Sequence, residues 1–257
     1  MIRDSVRKHY IGMNKEFRFR GEETSRLENL SDGVFALAIT LLLISTSPPV
    51  NFDQIRQFVW ELVPFCACIV LIVLIWHEHF VFFYRYGFRN TKVLVLNTLF
   101  LIIVLFYVYP LKYLCKFLFL LVVVQLFNRK SMAIEISNML SRDDTVDLMI
   151  IYGCGAASIF IVLMLMYRYA LKNSQRLQLN RIEEFDTRTS MISNLLMASV
   201  PFLSVVLALV FRNNEDVGSI TGFAYFLYTP VMIFFHKRIS KKRSNLLDEI
   251  NASSLTV

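Results

Sequence analysis

Residues 26–47, from Arg26 to Ser47, read RLENLSDGVFALAITLLLISTS and run into Pro48-Pro49. A polar opening with Arg26, Glu28, Ser31 and Asp32 leads into a stretch that carries no charge from Gly33 to Ser47. The proline pair stops it, because proline has no N–H to give a helix and its ring clashes with the preceding turn. From Leu30 to Ser47 a helix covers roughly 27 Å at about 1.5 Å of rise per residue, close to a hydrocarbon core of about 30 Å. The stretch predicts a first membrane span with an acidic group held at its mouth.

Composition extends that reading to the whole chain. Of its 257 residues, 56% are hydrophobic, against about 45–50% in soluble domains by a broader count that includes glycine. The excess lies in long runs, the mark of a multi-span membrane protein. There are 23 Phe and only 8 Gly, so a bulky core is expected rather than close backbone contacts through glycine motifs. The net charge of +7 could suggest nucleic acid, but the basic residues flank apolar runs, and membrane orientation explains them better. No nucleic-acid partner is expected. Cys66, Cys68, Cys115 and Cys154 fall in or beside apolar stretches and are expected as small buried hydrophobes; Cys66-Ala-Cys68 lacks zinc or redox spacing. The opening residues are polar, without the apolar segment and cleavage site of a signal peptide.

In chain order, residues 1–25 form a basic tail, and spans are expected at about 30–47, 58–84, 92–111, 146–167, 190–211 and 217–236. Residues 112–127 are apolar again, but their run is too short to cross; they could extend the third span, lie in the interface or pack on the bundle. Six spans put both termini on one side. Of the Lys and Arg residues, 20 fall on that side and 7 on the other, which places the termini in the cytoplasm. The expected fold is an all-α integral membrane protein, one six-span domain over 1–257 with cytoplasmic tails at 1–25 and 237–257.

The spans offer no Ser-His-Asp set, zinc cluster, phosphate loop or dinucleotide fingerprint, so neither an enzyme nor a cofactor is expected. Spans 3, 5 and 6 carry almost no interior charge, which gives little support to a transporter with a charged midplane site. In span 1, Leu37, Leu41 and Ile44 fall on one helical stripe, bordered by Thr40 and Ser47. Such a stripe either packs against neighbouring helices or, repeated around an axis, makes apolar rings that gate by dewetting. Ser31 and Asp32 either cap the helix start or join an ionisable cluster with Arg26 and a histidine near the end of span 2. There, Trp76, His77 and His79 read equally as interfacial anchors.

These residues carry a resemblance. Arg26-x-x-x-Leu30-Ser31-Asp32 followed by Gly-Val-Phe-Ala-Leu-Ala-Ile-Thr is similar to the Arg-x-x-x-Phe-Ser-Asp signature of the transmembrane protein 175 family of potassium channels. Trp76-x-x-His79 is similar to that family's tryptophan–histidine pair, and Asn97 with Tyr109-Pro110 resembles its third span. The resemblance implies a bacterial, single-repeat chain that assembles as a homotetramer around a pore lined by helix 1. It maps Leu37, Leu41 and Ile44 onto the apolar narrow point and Thr40 onto a hydroxyl layer linked to selectivity. Arg26, Ser31, Asp32, Trp76 and His79 would form a network bracing the helices. Two departures stand out: Leu30 replaces the family's phenylalanine, and residues 112–147 form a longer connection than a bacterial member needs.

The expected function is therefore passive conduction of K⁺ in a bacterial inner membrane, with a hydrophobic constriction in place of a carbonyl filter. The expected partners are further copies of the chain and the lipid bilayer. A proton-conducting channel, motivated by Asp32 and the histidines, and a non-conducting membrane scaffold or sensor are the alternatives.

Overall fold

Ser25 and Glu28 start the first helix. The Ser25 hydroxyl accepts from the Glu28 N–H at 3.2 Å, while the Glu28 carboxylate accepts from the Ser25 N–H at 3.0 Å. This reciprocal capping box satisfies two orphan donors, and helix α1 runs Arg26–Ile44 from it. Ser31 and Asp32 therefore lie in the second turn and do not cap the helix, contrary to one reading of the sequence. The computed structural model describes residues 17–21, 23–44, 51–127, 142–214 and 217–254. The side chain of Ile44, and Ser47 with the proline turn, lie outside the described residues.

The helices that follow are α2 (Phe52–Tyr86), α3 (Thr91–Phe127), α4 (Arg142–Lys172) and α5 (Arg181–Val210). After them come α6 (Val217–Ala224), a 3₁₀ turn (Tyr225–Leu227) and α7 (Tyr228–Ser254). Among the described residues, four helices are long and apolar enough to cross a membrane: Glu61–Tyr86, Thr91–Phe117, Asp144–Lys172 and Arg181–Val210. Polar pairs set the helix directions. Ser31 meets Asn97 and Leu42 meets Lys112, so α1 and α3 run parallel. Asp32 meets Trp76 on the antiparallel α2. Asn90 meets Tyr169, and Pro110 meets Tyr152, so α4 runs antiparallel to α3.

Residues 112–127 take the first of the three alternatives left open by the sequence: they continue α3 through Pro110. The carbonyl of Pro110 accepts a hydrogen bond from the Tyr152 hydroxyl, and Lys112 reaches the carbonyl of Leu42 at 2.9 Å. That ammonium satisfies one of the orphan carbonyls at the C-terminal end of α1 and complements its dipole. Two boundaries, at the start of α4 and within 217–236, differ from the sequence reading. Residues 142–147, read as part of a polar connection, already belong to α4. The span expected over 217–236 is interrupted at the 3₁₀ turn. Pro230 fits the first turn of a new helix, where its missing N–H costs nothing, whereas in the interior of an unbroken one it would forfeit a backbone hydrogen bond.

The core is aromatic. Phe82, Phe83, Tyr86, Phe88, Phe100 and Tyr167 are all buried, and Phe82 and Tyr167 meet edge to face at 5.3 Å. Cys68 and Cys115 are buried as expected, but Cys66 and Cys154 lie on the outside of the chain.

Candidate functional site

Helix α1 divides into two faces. Ser31, Phe35, Ala38 and Leu42 recur at i, i+4, i+7 and i+11 and are buried against α2 and α3. The opposite face presents Leu30, Gly33, Leu37, Thr40 and Leu41 to the outside. Leu37 is 50% exposed and Leu41 44%. Thr40 donates its hydroxyl proton to the carbonyl of Ala36 at 2.9 Å, which leaves the oxygen's lone pairs on the exposed side. Leu30 is 60% exposed, so no pocket of this chain holds it in place of a phenylalanine ring.

The buried face is fixed by a chain of hydrogen bonds. His79 Nε2 lies 2.6 Å from Asn97 Oδ1, Asn97 Nδ2 donates to Ser31 Oγ at 2.9 Å, and Ser31 Oγ donates to the carbonyl of Leu27 at 2.8 Å. Each donor has one acceptor, which assigns the Nε2-protonated tautomer to His79 from the network. His79 and Asn97 are fully enclosed, and the imidazole stacks on Phe100 with ring centroids 5.2 Å apart. Asp32, one residue further on, points away from this chain of bonds and accepts from Trp76 Nε1 at 2.8 Å.

The sequence suggests Arg26, Asp32 and a histidine as one ionisable cluster; among the described residues the structure shows no direct hydrogen bond or ion pair joining the three. Neither His77 nor His79 bonds Asp32; the indole of Trp76 does. Among the described residues Arg26 has no hydrogen bond or ion pair, and it lies on the exposed side of α1. Asn97 is the residue that joins α1, α2 and α3, and its signal is its place as an amide in an uncharged, largely apolar run from Val93 to Leu105.

A second set of contacts ties the chain before α1 to the rest of the bundle. The N–H groups of Arg20 and Gly21 donate to the carbonyls of Arg85 and Tyr84, which ends α2 with backbone partners. Gly21 is required there because a side chain would run into the carbonyl of Phe83. Gly87, with φ +56°, makes the turn that brings α3 back beside this segment. Arg20 then forks onto Glu183, with Nη2 at 2.7 Å and Nη1 at 3.1 Å from the two carboxylate oxygens. Glu183 also completes the capping box of α5, accepting from the N–H of the N-cap residue Asn180. At the same end, Arg243 of α7 reaches Asp186 at 2.9 Å, so α7 returns antiparallel to α5. Residue spacing alone gives no sign of these long-range pairs.

The comparisons with known proteins fall on the same region. The family model for the endosomal/lysosomal potassium channel TMEM175 matches residues 26–107, which begin at the first residue of α1 and take in Trp76, His79 and Asn97. A protein named potassium channel from Marivirga tractuosa is 41% identical over 240 residues, covering 93% of this chain and 97% of that protein. A crystal structure of a threonine-to-alanine variant of the potassium channel MtTMEM175, bound to a nanobody–MBP fusion, superposes with a TM-score of 0.82 at 40% identity. That match covers 90% of this chain and 100% of the other. With the signature of α1 and the bonds it makes to α2 and α3 both in place, and with this likeness over nearly its full length, the chain belongs to the TMEM175 family.

Proposed function

We propose that the chain is the subunit of a homotetrameric potassium channel that conducts K⁺ passively through a pore lined by four copies of α1. The observation that carries this reading is the division of α1. Its buried face is fully satisfied within one chain, while the opposite face exposes Leu37 and Leu41 together with Thr40, and Asp32 stands at the flank, exposed but bonded to Trp76 of α2. Lipid against this side of α1 would bring hydrocarbon up to the flanking carboxylate, which is costly. Further copies around a water-filled axis suit it better. There Leu37 and Leu41 form the narrow apolar rings, which admit a cation only when enough of its hydration survives. Thr40 adds an oxygen layer beside them. The bonds from Asn97 and Trp76 hold α1 in the rotation that keeps this face toward the axis, and Arg26 is available at its rim. Counting α1 and the interrupted α6–α7 segment with the four long helices gives six passages, with both termini in the cytoplasm of a bacterial cell.

Potassium conduction is the activity in the names of both relatives, and it is the reading tested first. The proton-conducting alternative has less support here, because His79 is bonded to Asn97 on the buried face and stands away from the exposed one. The experiment is K⁺ efflux from liposomes containing the purified chain, set against protein-free liposomes under the same gradient. Efflux above the control is expected. Efflux equal to the control would remove the channel reading, and a flux that follows a proton gradient at fixed K⁺ would replace K⁺ with H⁺.

A further inference from the structure

Away from α1, the groove between the start of α3 and the end of α4 has a chemistry that conduction does not use. It has a volume of about 550 Å³ and is lined at its rim by Lys92, Arg168 and Lys172 and along its wall by Val95 and Leu165, with Tyr169 between. All three cations are exposed, and among the described residues none has a hydrogen bond or ion pair within the chain. Among the described residues, no carboxylate lines the groove. The Tyr169 hydroxyl already accepts from Asn90 Nδ2 at 2.7 Å, so its own proton remains available to an incoming acceptor. The rim stands at a membrane boundary, because the long apolar segments Thr91–Phe117 and Asp144–Lys172 begin and end there.

We propose that this groove holds an anionic glycerophospholipid, with its phosphate under Lys92, Arg168 and Lys172 and an acyl chain along Val95 and Leu165. Charge complementarity selects the headgroup: three unpaired cations at headgroup depth attract a phosphodiester, and the Tyr169 O–H supplies a directed donor. The apolar wall selects a lipid over a free anion. Inorganic phosphate would satisfy the rim and leave Val95, which is 62% exposed, without a partner. A zwitterionic lipid has the same chains, but its choline cation offsets the attraction. Arg168 and Lys172 also complement the C-terminal dipole of α4, but Lys92 on the facing helix has no such task.

The test uses the full chain purified in a neutral detergent and native mass spectrometry. Phosphatidylglycerol, phosphatidylcholine and inorganic phosphate are titrated separately. The wild type is expected to retain phosphatidylglycerol at least roughly tenfold more tightly than phosphatidylcholine, given the attraction of each basic residue near an anionic surface. The triple variant Lys92→Gln/Arg168→Gln/Lys172→Gln is expected to lose that preference. Val95→Trp, which fills the groove and keeps every charge, is expected to lose bound phosphatidylglycerol as well. Equal retention of the two lipids by the wild type would overturn the proposal, as would phosphatidylglycerol bound undiminished by Val95→Trp. Saturation of the site by inorganic phosphate alone would reassign it to a soluble anion. A change of oligomeric mass in the triple variant with its lipid count unchanged would make the groove a contact between copies.

Discussion

Replacing Asn97 with leucine tests whether the hydrogen bonds behind α1 hold it in place. The substitution keeps the side chain close to its original size and removes both amide groups. Ser31 keeps its bond to the carbonyl of Leu27, so the loss falls chiefly on His79 Nε2, an N–H in a side chain only 2% exposed. An orphaned buried polar group costs about 1–3 kcal/mol. Hydrogen bonds between membrane helices average about 0.6 kcal/mol and reach about 1.7. With the imidazole enclosed by Phe35, Phe83 and Phe100, the upper part of those ranges applies. Asn97→Leu is expected to destabilise the chain by about 2 kcal/mol, a fall in melting temperature of roughly 4–8 °C for a chain of this size. Thermal unfolding in detergent followed by near-ultraviolet circular dichroism reads the shift. Adding His79→Phe removes the orphaned N–H and preserves the stack on Phe100, so the double variant should recover most of the loss. A double variant at least as unstable as the sum of its singles would refute the assignment of the loss to His79.

Two further outcomes follow from the same geometry. Arg20→Ala leaves the carboxylate of Glu183, 1% exposed, without its guanidinium and is expected to cost about 3 kcal/mol, read by the same melting measurement; a shift of less than about a degree would make the ion pair inconsequential. Thr40→Ala removes the exposed hydroxyl beside Leu37 and Leu41 and, if that hydroxyl lines the proposed pore, is expected to move the K⁺ versus Na⁺ reversal potential toward zero, while Thr40→Ser, which keeps the hydroxyl, should leave it in place.

Much of this arrangement is legible in the residues themselves. The uncharged run that opens at Gly33 and the stripe of Leu37 and Leu41 report the apolar face of the helix that ends at Ile44, because a 3.6-residue period survives any packing partner. What periodicity does not carry is which partner each polar group meets. Ser25-Arg-Leu-Glu28 is a capping box in plain sequence, but the eye goes to the more polar Ser31-Asp32 further on. Asp32 and the histidines look like an ionic cluster when only depth is considered. The direction of the α2 side chains then gives Asp32 to the indole of Trp76 and turns His79 inward to Asn97. Residues 112–127 are ambiguous in sequence because Pro110 ordinarily signals an end; the bond from Tyr152 across the bundle and the use of Lys112 at the end of α1 keep the helix going. Arg20 and Glu183 lie far apart in the chain, and only the fold brings them together.

The proposed pore rests on the outward face of α1, and the most direct test of it is the reversal potential and conductance of single channels in planar bilayers under opposed K⁺ and Na⁺ gradients, for the wild type and for Leu37→Ala. If four copies of Leu37 form the narrow point, the wild type reverses toward the K⁺ equilibrium potential. Leu37→Ala then conducts more current and reverses closer to zero, because a wider and less apolar ring no longer strips hydration selectively. An unchanged conductance and reversal potential in Leu37→Ala, alongside a conducting wild type, would mean that the ions pass somewhere other than along α1.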